Sequence, residues 1–181
     1  MKKAIPKLII AAIVYLALYP LGSSAGLIHP ACYAYVGTVL PLLFAFVYLL
    51  AEANWQRFGV AVIGFIVGEG NLPLGIGIAA LTVIAEIVRG VCGYDTLKGV
   101  KLSFIPFTFS FYTYSAHWWF DKEGSLAAAL EEMPAGYADK MEPVIDNIPL
   151  LAVMLVLTVP VAILGMFIAC KVMKKQASLL K

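Results

Sequence analysis

The sequence predicts an all-α protein that crosses a membrane six times, and three observations carry that prediction. The 181 residues are 62% hydrophobic and only 13% charged, with a mean hydropathy of +0.91; a soluble domain is ordinarily about 45–50% apolar and about 25% charged. Apolar runs near or above ~18 residues, long enough to span a bilayer, recur along the chain. The basic residues fall at alternating ends of these runs, as the excess of Lys and Arg in cytoplasmic loops requires. Nothing resembles a soluble module or a linker, so residues 1–181 read as a single integral membrane domain.

The apolar segments lie at about 5–21, 34–51, 58–67, 74–88, 102–120 and 148–170. The first follows a basic start and precedes small residues, which imitates a signal peptide. Its apolar stretch is long for such a segment, so it reads as a retained helix. The third and fourth are divided by "GEGNLPLG", residues 68–75. One helix running through residues 57–89 would be about 50 Å long against a hydrocarbon core of about 30 Å. It would also leave the basic termini on opposite sides. A break at residues 68–73 gives six spans with both termini cytoplasmic. Eleven basic residues then lie inside, and only Lys122 and Lys140 lie outside. A re-entrant hairpin keeps the same parity with four full spans.

The longest connection, residues 121–147, lies outside and holds seven of the eleven acidic residues. Within it "SLAAALEEM" has good helix formers, with Ser125 as N-cap. This predicts a short helix lying over the outer mouth as a lid between the fifth and sixth spans, since long loops in compact proteins are usually functional or disordered.

The fifth segment, "LSFIPFTFSFYTYSAHWWF", carries the most chemistry. Ser103, Ser110, Tyr114 and His117 share one face at 100° per residue; Thr108, Tyr112, Ser115 and Trp119 fall nearly opposite. Polar atoms on two faces predict a helix surrounded by others or lining a cavity. Its end, "YSAHWWF", also suits an interfacial aromatic belt. The two histidines, His29 and His117, both fall on the outer side; their spacing is not a metal motif, and whether they hold a metal or heme stays open at this point. His29 and Tyr33 sit on the shorter outer loop. Glu69 and Asn71 are candidates for a pocket rim or for plain turn chemistry, with Asn71 capping the next helix and Pro73 in its first turn. The candidate ligand contacts are therefore His29, Tyr33, Glu69, Asn71, Tyr114, His117 and Trp118.

Glu86 and Arg89 share a helix face towards the inner side. They read either as a local ion pair or as an intersubunit contact, ionisable residues in spans being functional candidates by default. Gly64 with Gly68, and Gly165 with Ala169, are small pairs spaced for close helix approach. Cys32, Cys92 and Cys170 form no metal or disulfide pattern. There is no HExxH, GxSxG or Walker A motif and no paired-aspartate cluster within the apolar runs, which argues against a membrane protease, a self-contained ATP-driven pump or any enzyme. No cofactor signature is present. The basic residues are explained by topology, so no nucleic-acid partner is expected.

The stretches "GEGNLPLGIG", "LTVIAEIVRG" and "GYADKMEPVIDNIPLLAVMLVLTVPVAILGMFIACKVMKK" are similar to the substrate-binding S components of energy-coupling factor (ECF) transporters, in particular the MptD/Trep_Strep family. The resemblance covers nearly the whole chain. It implies a multi-pass protein of the bacterial cytoplasmic membrane that captures a micronutrient such as a vitamin, heme or metal chelate from outside. It also implies partners in the lipid bilayer: a T component bearing two ATPase subunits. Many S components dock through an Ala-xxx-Ala face on the first helix. Here Ala11, Ala12 and Ala17 stand in that helix without a clean Ala-xxx-Ala, so Ala11, Ala12, Glu86 and Arg89 are the candidate partner contacts. The competing expectation is an autonomous small secondary transporter or channel.

Overall fold

The computed structural model describes residues 4–59 and 72–181. Among them the regular structure is entirely helical. Helix α1 (Ile5–Ser24) runs from one end of the molecule to the other. The chain returns through α2 (Pro30–Ala34), α3 (Val36–Val39) and α4 (Pro41–Asn54). Helix α5 (Leu72–Cys92) is followed by α6 (Leu97–Phe109), a 3-10 turn (Ser110–Tyr112) and α7 (Thr113–Phe120). Two short helices follow, α8 (Lys122–Glu132) and α9 (Tyr137–Asp146). The long α10 (Ile148–Val172) and a final turn, α11 (Lys174–Ala177), close the chain. Ile5–Leu27, Gly75–Cys92 and Ile148–Val172 are each long and apolar enough to cross a membrane; Pro41–Asn54 is apolar but shorter.

Two predicted segments are broken rather than continuous. The stretch at 34–51 is divided into α2, α3 and α4, with Tyr35 outside helical geometry at φ −110°, ψ 11° and Pro41 opening α4. Proline has no N–H to donate and suits the first turn of a new helix. The fifth segment carries Pro106 inside α6 and loosens into the 3-10 turn four residues later. Its hydroxyls stay in the bundle by bonding their own backbone: Thr108 Oγ1 donates to Ile105 O (2.6 Å), Ser110 Oγ to Phe107 O (2.7 Å) and Ser103 Oγ to Val100 O (3.2 Å). Ser103, Thr108, Ser110 and Ser115 are all buried, so this helix is surrounded on both polar faces. Helix α5 begins at Leu72, which puts Pro73 in its first turn as expected. The Gly64/Gly68 pair and the stretch 68–71, with Glu69 and Asn71, lie outside the described residues.

Helix α10 is apolar all round, as suits a helix in lipid; its seam with the protein is set by size instead. Ala162, Gly165 and Ala169 are buried in one stripe. A Cβ on Gly165 would stand 2.7 Å from the Pro41 carbonyl oxygen and 3.1 Å from Leu42 Cα. The close approach of α4 and α10 thus depends on that hydrogen. Between α4 and α6 lies an aromatic stack, with Tyr48 ring centroids 5.1 Å from Phe104 and 4.9 Å from Phe107, and Phe44 4.6 Å from Phe111.

Both ends of the chain meet at one end of the bundle. Gln176 Oε1 accepts from Asn54 Nδ2 (2.9 Å) and from Lys7 Nζ (3.4 Å). The C-terminal Lys181 N donates to Asp95 O at 2.7 Å, Lys181 O accepts from Leu97 N at 3.0 Å, and its ammonium lies 2.8 Å from Asp95 Oδ2. The hydrogen bond from that ammonium holds the Asp95 carboxyl below the usual carboxylate range.

At the same end, three charged side chains are enclosed. Arg89 (1% exposed) lies 3.2 Å from Glu52 Oε2 (2% exposed) and donates through Nη2 to Glu52 O (3.3 Å) and to Tyr94 O. Glu86 is buried beside them and its Oε1 accepts from Gly59 N at 3.1 Å. The guanidinium therefore ties α4, α5 and the α5–α6 loop together. A buried pair gains little net free energy, but removing one partner strands a charge.

Arg89→Met should accordingly cost about 3–5 kcal/mol, and Glu52→Gln in that background should recover most of it, read as thermal unfolding in detergent. Gly165→Ala should cost about 1–3 kcal/mol in the same measurement, because backbone atoms of α4 stand where the methyl would go.

Candidate functional site

The opposite end of the bundle is roofed by α8 and α9. Helix α8 starts four residues earlier than predicted. Its N-cap is Asp121, whose Oδ1 accepts from Gly124 N (3.0 Å), and not Ser125. Ser125 instead sits buried in the helix, its Oγ donating to His117 O at 3.4 Å. Gly124 makes the cap possible by lacking a Cβ, which would meet Asp121 Oδ2 at 2.3 Å. Helix α9 was not foreseen. It starts from Gly136, whose φ of +78° favours glycine, and its buried positions Ala138, Met141 and Ile145 follow helical spacing.

Beneath this roof is a second small core. Met141, Ile145 and Ala129 pack with Trp118, Tyr35 and Ala34. The indole of Trp119 donates to Ile145 O at 3.1 Å, and Tyr35 OH donates to Val144 O at 3.4 Å. Trp118 is buried and Trp119 half-buried, so the tryptophan pair is used inside the protein rather than as a bare interfacial belt. At the rim, Lys122 Nζ lies 2.7 Å from Asp146 Oδ1 and 3.1 Å from Glu142 Oε1, tying the start of α8 to the end of α9.

Between the roof and the bundle lies a cavity of about 530 Å³. Its floor is Tyr33 and Trp118, with ring centroids 5.1 Å apart. Tyr33 is fixed by donating from its OH to Tyr114 O at 3.0 Å. His117 and Asp121 open one wall, α8 supplies Glu132, and α9 supplies Tyr137 and Met141. Burial pushes the Tyr137 phenol above its ordinary pKa, so it remains a neutral donor. The arrangement offers aromatic faces from Tyr33 and Trp118, polar groups from His117 and Ser125, and the carboxylates of Asp121 and Glu132.

The predicted contacts divide accordingly. Tyr33, His117 and Trp118 are brought together at the cavity. Tyr114 stands behind it, supporting Tyr33 through its backbone. His29 is exposed and serves as the N-cap of α2, its Nδ1 accepting from Ala31 N at 3.1 Å. Glu69 and Asn71 belong to the undescribed stretch. Asp121, Glu132, Tyr137 and Met141 were missed as wall residues. The helical spacing of 138, 141 and 145 was the signal that could have found α9. Among the predicted partner contacts, Ala11, Glu86 and Arg89 are buried within the chain and Ala12 is half-buried. The exposed face of α1 is made by Ile9, Ile13 and Leu16. Among the described residues no group of three or more His, Cys, Asp or Glu could hold a metal ion.

A hydroxyl knot lies deeper on the same side. Thr38 Oγ1 is bonded to Tyr112 OH and donates to Met154 O (3.2 Å), while Thr158 Oγ1 lies 3.3 Å from Tyr112 OH and donates to Met154 O at 2.9 Å. Gly37 lets the Tyr112 ring in; a Cβ there would stand 2.6 Å from its Cδ2. The knot locks α3, the 3-10 turn and α10 beneath the cavity.

The family model described as "Hypothetical bacterial integral membrane protein (Trep_Strep)" matches residues 3–178. No curated protein and no solved structure matches the chain.

If the buried apolar face of α9 holds the roof, Met141→Asp should expose residues 121–147 to rapid limited proteolysis in detergent. Lys122→Met should change the cleavage rate far less, because ion pairs exposed to solvent contribute about 0–1 kcal/mol.

Proposed function

The chain belongs to the Trep_Strep family of hypothetical bacterial integral membrane proteins, and from that premise we propose that it is the substrate-capturing S component of an ECF-type importer. In this reading it binds a micronutrient outside the cell and passes it inward with a T component and two ATPase subunits in the bacterial cytoplasmic membrane. The observation that carries the reading is the roofed, aromatic-floored cavity at the end of the bundle opposite both chain termini. A binding protein needs such a site and needs nothing catalytic beside it.

The topology belongs to the same proposal: six spans, both termini cytoplasmic, the roof outside. Lys7, Arg89 and Lys181 gather at the end where the termini meet, as the positive-inside rule asks of a cytoplasmic face. Gly59 touches Glu86, whereas Leu72 begins the same helix about 21 Å of rise away. The chain thus leaves one end of the bundle at residue 59 and re-enters near the other at residue 72.

The second reading, an autonomous secondary transporter, is favoured by one observation: two carboxylates, Glu52 and Glu86, enclosed with a single guanidinium. Buried ionisable groups in spans often relay protons.

Purification from the native host should yield the protein with a bound small molecule, identified by mass spectrometry, and with ATPase-bearing partners. Trp118→Ala should weaken that binding about 10- to 100-fold, the loss of one stacked aromatic contact and its burial. Folded protein that carries neither ligand nor ATPase partner, yet moves substrate in liposomes on an ion gradient and stops doing so as Glu52→Gln, would replace the first reading by the second.

A further inference from the structure

We propose that the cavity takes an organic cation, a flat apolar body bearing a positive charge; this rests on the reading of the cavity as the capture site. The charge of its walls carries the inference. Two carboxylates, Asp121 and Glu132, line it, and among the described residues no lysine or arginine does. The absence is constructed. The only two lysines of the roof segment 121–147 are Lys122 and Lys140. Lys122 is drawn to the rim by Asp146 and Glu142, at 2.7 and 3.1 Å, and Lys140 is exposed on α9. Seven carboxylates share the segment with these two cations. An anion entering under the roof would therefore meet a net negative field.

The floor completes the recognition. Tyr33 and Trp118 are packed together, Tyr33 is fixed by its bond to Tyr114 O, and Tyr137 also lines the cavity. Aromatic faces attract a cation within about 6 Å, and the attraction grows where water is displaced. Asp121 is held in place by capping α8, so it meets a ligand already ordered and loses little side-chain entropy on binding. The cavity's size suits a ligand of a few rings.

The test uses three bicyclic probes of matched size on the full-length protein in detergent, followed by tryptophan fluorescence. They are N-methylquinolinium, neutral 2-naphthylmethanol and anionic 2-naphthoate. The cation should bind at least about tenfold tighter than the neutral probe, the combined effect of cation–π contact and wall charge. The anion should bind weakest. The preference should shrink in Asp121→Asn, which keeps the helix cap, and in Glu132→Gln, and should fall with added salt because the walls are reached by solvent. A preference for the neutral or anionic probe that Trp118→Ala abolishes would overturn the charge assignment and leave the capture site standing. Failure of all three probes to bind, or binding that Trp118→Ala leaves unchanged, would overturn both.

Discussion

A polar group enclosed among helices has no water to fall back on, so it must be answered from within the chain. The answer given to Arg89 organises one end of this protein. Its guanidinium draws Glu52 from α4 and carbonyls from α4 and the α5–α6 loop around itself. Those contacts pin three stretches that sequence separates. The C-terminal tail then closes over the same loop through Asp95 and Leu97. The hydroxyl knot of Thr38, Tyr112 and Thr158 does the corresponding work beneath the cavity with neutral groups. One node is charged and the other is not. The charged one binds the end where the chain's termini meet, and the neutral one supports a floor whose chemistry is aromatic.

Between the two nodes, size and shape hold the bundle. Small residues let α10 lie against α4, and rings fill the space between α4 and α6. Apolar surface alone cannot specify such contacts in lipid, because lipid tails are as apolar as leucine. Specificity comes from where the backbone can approach closely, as at Gly165 and Gly37, and from which hydroxyls find partners. This explains why α10, apolar on every side, still has one defined seam.

The sequence revealed what is periodic or local. The long apolar runs announced the membrane-length helices, Pro73 the start of α5, and the two polar faces of 102–120 its enclosure. It did not reveal what is distant. Glu52 and Arg89 are 37 residues apart, Thr38 and Thr158 are 120 apart, and no periodicity announces either pair. Local competition was also misread. Ser125 looked like a cap because serine caps well, but Asp121 with Gly124 offers an unobstructed oxygen to the same backbone. His29 looked like a ligand contact, and the first turn of α2 claimed its ring nitrogen instead. At the candidate site, Tyr33, His117 and Trp118 were legible because they stand in aromatic clusters. The acidic character of the lid was legible too, but which of its seven carboxylates face the cavity was not, since Asp121 and Glu132 are placed only by where α8 begins and ends.

The roof is itself built to be separable from the rest. Its core, Met141, Ile145, Ala138 and Ala129 against Trp118, Tyr35 and Ala34, is separate from the larger core of the bundle, and the rim is an ion-pair clasp exposed to solvent. Proteins open locally in cooperative units, and an element with its own small core is such a unit. The bundle below has the aromatic stack, the hydroxyl knot and the Arg89 node, none of which involves α8 or α9. An opening of the roof would therefore leave the floor of Tyr33 and Trp118 in position to receive a ligand. A ligand that touched both floor and roof would restore the closed arrangement by adding contacts the empty protein lacks. Binding and closure would then be one equilibrium, its strength set by how much of the ligand lies against Tyr137 and Met141.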